Sequence, residues 1–216
     1  MFVFTNENIT QLNNLKYTQN VPPHHTKKLD MLDDEDFLFK DFDYGDFGLT
    51  PPPQNASLTT YYELGYLQSL PEDPQLVEYY DDIPQVFKDV CMENGIEYPK
   101  KLVKFLKKQS TPIILDLKYY YNRPRPFQLA KEYGIKLSNV EMESMNTPSY
   151  PSGHSTQGYL IAYVLSTKFN ILNDSFYRAA KKISFSRNIA RAHFPSDSRL
   201  GEQLGKKMFK HIIHKI

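Results

Sequence analysis

From Pro99 onward the chain carries long runs in which apolar residues recur every three or four positions, and scarcely any in which they alternate. Residues 100–122, KKLVKFLKKQSTPIILDLKYYYN, have that spacing, as do GYLIAYVL (158–165), FYRAAKKISFSRNIARAH (176–193) and the final DSRLGEQLGKKMFKHIIHKI. A period of 3.6 cannot hold one face of a strand toward a core, whose side chains repeat every two residues. The chain is therefore expected to be all-α, a helical bundle whose loops and helix ends meet at one end. Pro112 is expected to bend or restart its helix, because a proline has no N–H for the ladder. Ser57 or Thr59 is expected to cap a helix stopped by Pro71, and IPQVFKDVCMENG a helix ended by Gly95. A loop from about residue 127 to 152 contains one short helical stretch, QLAKEYG. Helices then run from about Ser155 to Phe169, from a cap at Asn173 or Asp174, and from Ser196 or Asp197 to the end.

Residues 1–48 read differently. NVPPHHTKKLD looks irregular, and eight carboxylates fall between Asp30 and Asp46 against the single Lys40. The aromatic residues threaded through them argue for an arm that docks on a folded body. A Pro-rich connector, LTPPPQNAS, leads into the helical domain, residues 49–216.

With 26 basic and 25 acidic side chains the net charge is +1, which gives no global reason to expect nucleic acid. The single cysteine, Cys91, excludes an intrachain disulfide framework and a cysteine-built zinc site. Mean hydropathy is −0.55 and no apolar run reaches membrane-spanning length. The start, MFVFTNENITQ, lacks a basic leader segment. The expectation is a soluble, cytoplasmic protein, or a periplasmic one if a signal has been removed, with no membrane insertion and its oligomeric state open.

Three clusters carry chemistry. The first is Lys118, six residues, then Arg125-Pro126; the second is Pro151-Ser152-Gly153-His154. The third is Ser186-Arg187, five residues, His193, three residues, Asp197. Each alone reads as turns, caps or surface charge. Together and in this order they resemble the three-part signature of the type 2 phosphatidic acid phosphatase superfamily, which includes vanadium haloperoxidases. SYPSGHST and the stretch DFLFKDFDYGDFGLTPPPQNASLTTYYELGYL are most similar to the soluble bacterial class A nonspecific acid phosphatases. The likeness runs from about Asp36 to Gly205, and the first thirty-odd residues have no counterpart in it.

The residue chemistry agrees with what the resemblance implies. Hydrolysing a phosphomonoester without a metal needs a nucleophile, a proton donor for the leaving oxygen, and fixed positive charge for the phosphoryl oxygens. His193 is the expected nucleophile, oriented by Asp197, and His154 the general acid. Lys118, Arg125 and Arg187 are expected to bind the phosphoryl group, with the Ser152 hydroxyl and the Gly153 amide at the helix entrance. The implied partner is a small phosphorylated substrate. No cofactor or metal is expected, and vanadate would bind only if the chain were a haloperoxidase. A lipid or polyprenyl diphosphatase and a non-catalytic phosphate-binding module stay open as alternatives. Arg123 could assist the substrate, KYYYN could line a pocket or pack as core, and His24, His25, His211 and His214 are not expected to hold metal.

Overall fold

The computed structural model describes residues 2–43, 50–138, 142–170 and 173–215. These residues form ten α-helices and no strand. They are α1 (Asn6–Asn14), α2 (Pro23–Leu29), α3 (Leu58–Ser69), α4 (Pro74–Asp81), α5 (Ile83–Glu93), α6 (Lys100–Tyr121), α7 (Pro126–Glu132), α8 (Gly153–Lys168), α9 (Asn173–Ile189) and α10 (Pro195–Ile212). Short 3₁₀ turns lie at Asp30–Asp33 and Glu143–Met145. The all-α expectation holds.

Helix α8 is the axis of the bundle. It packs along α9 and α10 and against α6, and its middle, from Gly158 to Leu165, is buried on almost every side. An apolar run with no polar face, such as GYLIAYVL, has no stable place except inside. Small residues let α10 approach it closely. A β-carbon added at Gly201 would lie 2.6 Å from the Ser155 β-carbon and 2.7 Å from the Ser152 carbonyl oxygen. One added at Gly205 would meet the Thr156 carbonyl at 2.6 Å. These two glycines therefore set how near the N-terminus of α8 comes to the N-terminal half of α10.

Several local expectations are corrected. Helix α6 runs unbroken through Pro112. The carbonyl that loses its donor belongs to Lys108, which faces solvent, so water can satisfy it. Ser152, not Ser155, caps α8, its Oγ accepting from the Ser155 N–H at 3.3 Å, and so Gly153 and His154 belong to the first helical turn. PHHTKKL forms a helix, α2, although it reads as irregular. DPQLVEYYD forms α4, capped by Asp73 and started by Pro74, a helix absent from the sequence reading. Ser57 caps α3 and Gly95, at φ +68°, follows α5, both as expected. Helix α9 already includes Asn173 and Asp174 as its first residues, so neither is its cap, and the boundary near residue 48 lies outside the described residues.

The N-terminal segment docks on the body. Phe37, Phe39 and Phe42 are buried in the main core with residues of α5, α6, α8 and α10. The Leu38 N–H donates to Gln109 Oε1 of α6 at 3.0 Å. Leu12 of α1 joins a second cluster with Leu64, Leu67, Leu129 and Tyr133. Each such buried side chain contributes about 1.5–3 kcal/mol of transfer free energy.

Candidate active site

Four helix ends and one connecting loop converge. Helix α6 ends at Asn122, which takes the left-handed conformation at φ 47° and caps Lys118 O through its N–H. The chain then turns through Arg123-Pro124-Arg125 into α7. The N-terminus of α8, the C-terminus of α9 and the start of α10 close on that turn, where Lys118, Arg125, Arg187 and His193 are buried and His154 is partly buried.

His193 is 3% exposed, between α9 and α10. Its Nδ1 lies 3.4 Å from Asp197 Oδ2, and its Nε2 lies 3.0 Å from Arg125 Nη1. A carboxylate can only accept and a guanidinium can only donate, so the ring is neutral with its proton on Nδ1 and a lone pair on Nε2. Burial and the charges of Arg125 and Lys118 agree, holding its pKa well below the usual histidine value.

Asp197 is fully buried and more heavily bonded than its sequence position suggests. It stands in the first turn of α10, where Oδ2 accepts the Phe194 N–H at 2.8 Å and the Ser149 hydroxyl. Its Oδ1 accepts from Arg123 Nη1 at 2.6 Å. These partners keep its carboxyl well below the ordinary carboxylate pKa despite burial. Asp197 thus caps a helix and orients a histidine at once.

Arg123 lies behind the site, engaged through its terminal nitrogens, while its buried Nε has no hydrogen-bond partner. Its guanidinium stacks 4.0 Å from the Phe194 ring, donates to Ser196 Oγ at 2.8 Å and faces Glu63 Oε2 at 3.5 Å. Glu63, from α3, also accepts the Ser196 N–H and hydroxyl at 2.7 and 2.8 Å. His193, Asp197, Arg123 and Glu63 form a buried chain, in which the charge alternates from Asp197 through Arg123 to Glu63. Glu63 carries no signal in the sequence beyond its place on an otherwise apolar helix face.

Arg125 spends its donors on the loop that encloses the site. Nε donates to Thr147 O at 2.8 Å, Nη1 to Ala192 O at 2.7 Å and Nη2 to Ser144 O at 2.8 Å. Its pKa is lowered to about 10 by burial, partly offset by Asp197. Lys118 donates to Pro148 O, and burial with Arg125 nearby holds its ammonium well below the usual lysine value. A β-carbon at Gly153 would stand 3.4 Å from the Ile114 side chain and 4.0 Å from that of Lys118, so Gly153 lies directly beside the lysine. The Ser152 hydroxyl accepts from the Ser155 hydroxyl at 2.9 Å, and its own proton remains for another acceptor.

His154 and Arg187 form the other wall, and Asp81 links them. His154 Nε2 lies 3.1 Å from both the carbonyl and the carboxylate Oδ1 of Asp81. The same Oδ1 accepts from Arg187 Nη1, while Arg187 Nη2 donates to Val77 O at 3.3 Å and Nε to Ser186 Oγ at 3.2 Å. Burial lowers the pKa of His154 and Asp81 opposes that, while His154 and Arg187 hold the Asp81 carboxyl well below its ordinary range. Asp81 ends α4, the helix the sequence reading lacked, and its carboxylate rests on two groups suited to an anion.

All eight expected site residues thus gather in one place. Arg123 supports Asp197 and is turned away from any substrate role. Arg191, at φ 54°, spends its guanidinium on backbone carbonyls of residues 70, 71 and 189, and Arg199 faces Glu63 at 3.5 Å. In KYYYN, Tyr119 bonds His25 at 2.6 Å, Tyr120 is exposed and Tyr121 packs edge-on to Tyr150. His211 packs against Phe39 and Phe42. Among the described residues no cluster of three His, Cys, Asp or Glu could hold a metal ion.

Comparison with known proteins gives the family and the fold. Residues 109–212 match the sequence family described as the PAP2 superfamily. A non-specific acid phosphatase of Salmonella typhi is 30% identical over 182 residues, covering 76% of this chain and 71% of that protein. One of Salmonella typhimurium is 36% identical over 96 residues, 43% of this chain and 36% of its own length. The chain thus spans little more than a third of one of these relatives and over two thirds of the other. Among solved structures, a bacterial vanadium-dependent iodoperoxidase shares the fold with a TM-score of 0.61 at 16% identity, covering 79% of this chain and 52% of that one.

Proposed function

The chain belongs to the PAP2 superfamily, and on that premise we propose that it is a phosphatase that hydrolyses water-soluble phosphomonoesters without a metal, through a phosphohistidine on His193. The observation that carries this reading is the state of His193: neutral, buried, protonated on Nδ1 toward Asp197, with the Nε2 lone pair turned toward the cationic groups. Simple phosphate binding needs no such nucleophile and orienter.

In the proposed reaction Nε2 attacks phosphorus in line with the ester oxygen, the P–O bond breaks, and His154, in the imidazolium form that the Asp81 carboxylate favours, gives a proton to the departing alkoxide and becomes neutral. The cationic phosphoimidazole is stabilised by Asp197, whose own charge is held by Arg123. Arg125 leaves Nε2 and, with Lys118, Arg187, the Ser152 hydroxyl and the Gly153 amide, faces the phosphoryl oxygens. Water then attacks phosphorus, His154 takes a proton from it, and the P–N bond breaks to release phosphate. Two phosphoryl transfers return both histidines to their starting states.

No helix among the described residues is long and apolar enough to cross a membrane, which favours a water-soluble ester over a bilayer lipid as substrate. The testing experiment measures phosphate release from p-nitrophenyl phosphate between pH 4 and 9, with EDTA, for the native chain and His193→Ala. Turnover that survives chelation, disappears in the variant and is inhibited by orthovanadate supports the reading. Release only from micellar phosphatidic acid moves the substrate to lipids. Halide oxidation with vanadate and peroxide, in place of phosphate release, overturns it.

A further inference from the structure

Beside the catalytic groups is a second cavity, of about 420 Å³, lined by Asp82, Pro84, Gln85, Lys88, Tyr98, Lys100, Lys104 and Lys107. Four ammonium groups face it and one carboxylate. That carboxylate is engaged, since Asp82 Oδ1 caps α5 by accepting the Gln85 N–H at 3.2 Å. Among the described residues none of the four lysines stands within ion-pair distance of an acidic group. Lysines 100, 104 and 107 lie at i, i+4 and i+7, one face of α6, with Lys88 of α5 opposite. Lys107 is half-buried, and burial pushes its ammonium down with only Asp82 and Asp81 opposing. Such a grouping repels itself until an anion enters.

The position of the cavity says which anion. Asp81 touches His154 and Arg187, while its neighbour Asp82 lines the lysine cavity, so the two spaces are separated by the width of one residue. Outside the cavity lining, Gln157, one turn after His154 on α8, donates to the Lys107 carbonyl at 3.2 Å and so ties α6 at Lys107 to the helix that carries His154. One helical turn is about 5.4 Å, which puts the lysine amines within reach of a group a few bonds from a phosphoryl bound at His154. Resting on the phosphatase reading above, we propose that the Lys88–Lys100–Lys104–Lys107 cavity is a second anion subsite, which selects substrates carrying a further phosphate beyond the one that is cleaved. A ligand engaging both sites gains from the second as an intramolecular event, whereas a simple monoester leaves it empty.

The test compares inorganic phosphate with tripolyphosphate as inhibitors of p-nitrophenyl phosphate turnover, and separately by titration calorimetry. Three proteins are used: the native chain, Lys88→Gln/Lys104→Gln, and a control Lys101→Gln/Lys108→Gln that removes the same charge from outside the cavity. In the native chain and the control, tripolyphosphate is expected to bind at least tenfold more tightly than phosphate. In the cavity variant that advantage is expected to fall below threefold, with kcat/KM for p-nitrophenyl phosphate unchanged within twofold. Equal affinities in the native chain, an advantage retained in the cavity variant, or an equal loss in the control would each overturn the subsite. Calorimetry judges the subsite even if p-nitrophenyl phosphate is not turned over, a result that would count against the phosphatase reading alone.

Discussion

At the scale of single residues, two aspartates do opposite work. Asp197 orders the site from behind, bonded to His193, Arg123, Ser149 and the Phe194 N–H. Asp197→Asn keeps the shape but removes the charge that opposes buried Arg123 and stabilises an imidazolium. Its kcat is expected to fall about 10²- to 10⁴-fold. Stability should drop by about 3–5 kcal/mol, as when a buried ion pair loses one partner. Urea denaturation alongside kinetics checks both, and an unchanged midpoint would contradict the buried chain from His193 to Glu63. Asp81 sits in front, across His154 and Arg187, where a phosphoryl oxygen would compete with it. Asp81→Asn should lower KM for p-nitrophenyl phosphate about fivefold, equivalent to about 1 kcal/mol of released charge attraction at a partly exposed pair. Because the Asp81 charge raises the His154 pKa, its removal should also move the alkaline limb of the kcat/KM profile to lower pH. A KM that rises, or a limb that does not move, would show that Asp81 aids the substrate.

At the scale of elements, the site depends on how closely α8 and α10 lie. Gly201 faces Ser155 and the carbonyl of Ser152, the residue that caps α8 and precedes Gly153 and His154. Gly201→Ala inserts a methyl where 2.6 Å is available, so α8 must move and take the turn that carries Gly153 and His154 with it. Destabilisation of about 1–3 kcal/mol is expected, as for an overpacked core, with a larger loss of kcat/KM than a distant change of equal cost would give. Gly158→Ala is the contrast, because its added methyl would meet Ile183 at an ordinary 3.5 Å and should leave activity within about twofold. Equal behaviour of the two variants would refute this account of the helix contact.

For the whole molecule, burying so many ionisable groups ties stability to pH. Folding lowers the pKa of both His193 and His154 below the free histidine value of 6.5, so the unfolded chain binds more protons as the pH falls below that value. Stability must therefore decrease from about pH 6.5 downward. Asp197 and Asp81, whose folded pKa values are depressed, add a second loss below the ordinary 3.8. Urea midpoints measured from pH 7.5 to 4.5 should fall, and inorganic phosphate should offset the fall by supplying the counter-charge the site lacks. A flat profile, or no protection by phosphate, would mean that folding does not lower the histidine pKa values in solution.

The sequence alone determined the fold class, because a 3.6-residue apolar period over most of the chain has no β solution. It also carried the candidate site inventory, through the resemblance of three ordered clusters to a family signature, in which Lys118, Arg125, Ser152, Gly153, His154, Arg187, His193 and Asp197 stand in order. Hidden from it were partners that come from elsewhere in the chain. Glu63 on α3 and Asp81 on α4 lie 134 and 116 residues before Asp197. Nothing local marks either carboxylate as part of a site, and the apolar neighbours of Glu63 say only that it is buried. The division of labour between Arg123 and Arg125, two positions apart, was equally invisible: it follows from which way the proline-bounded turn after α6 points each guanidinium. Only packing decided these, because a charge acquires its role from what burial leaves within reach, and that is set by helices meeting across the fold.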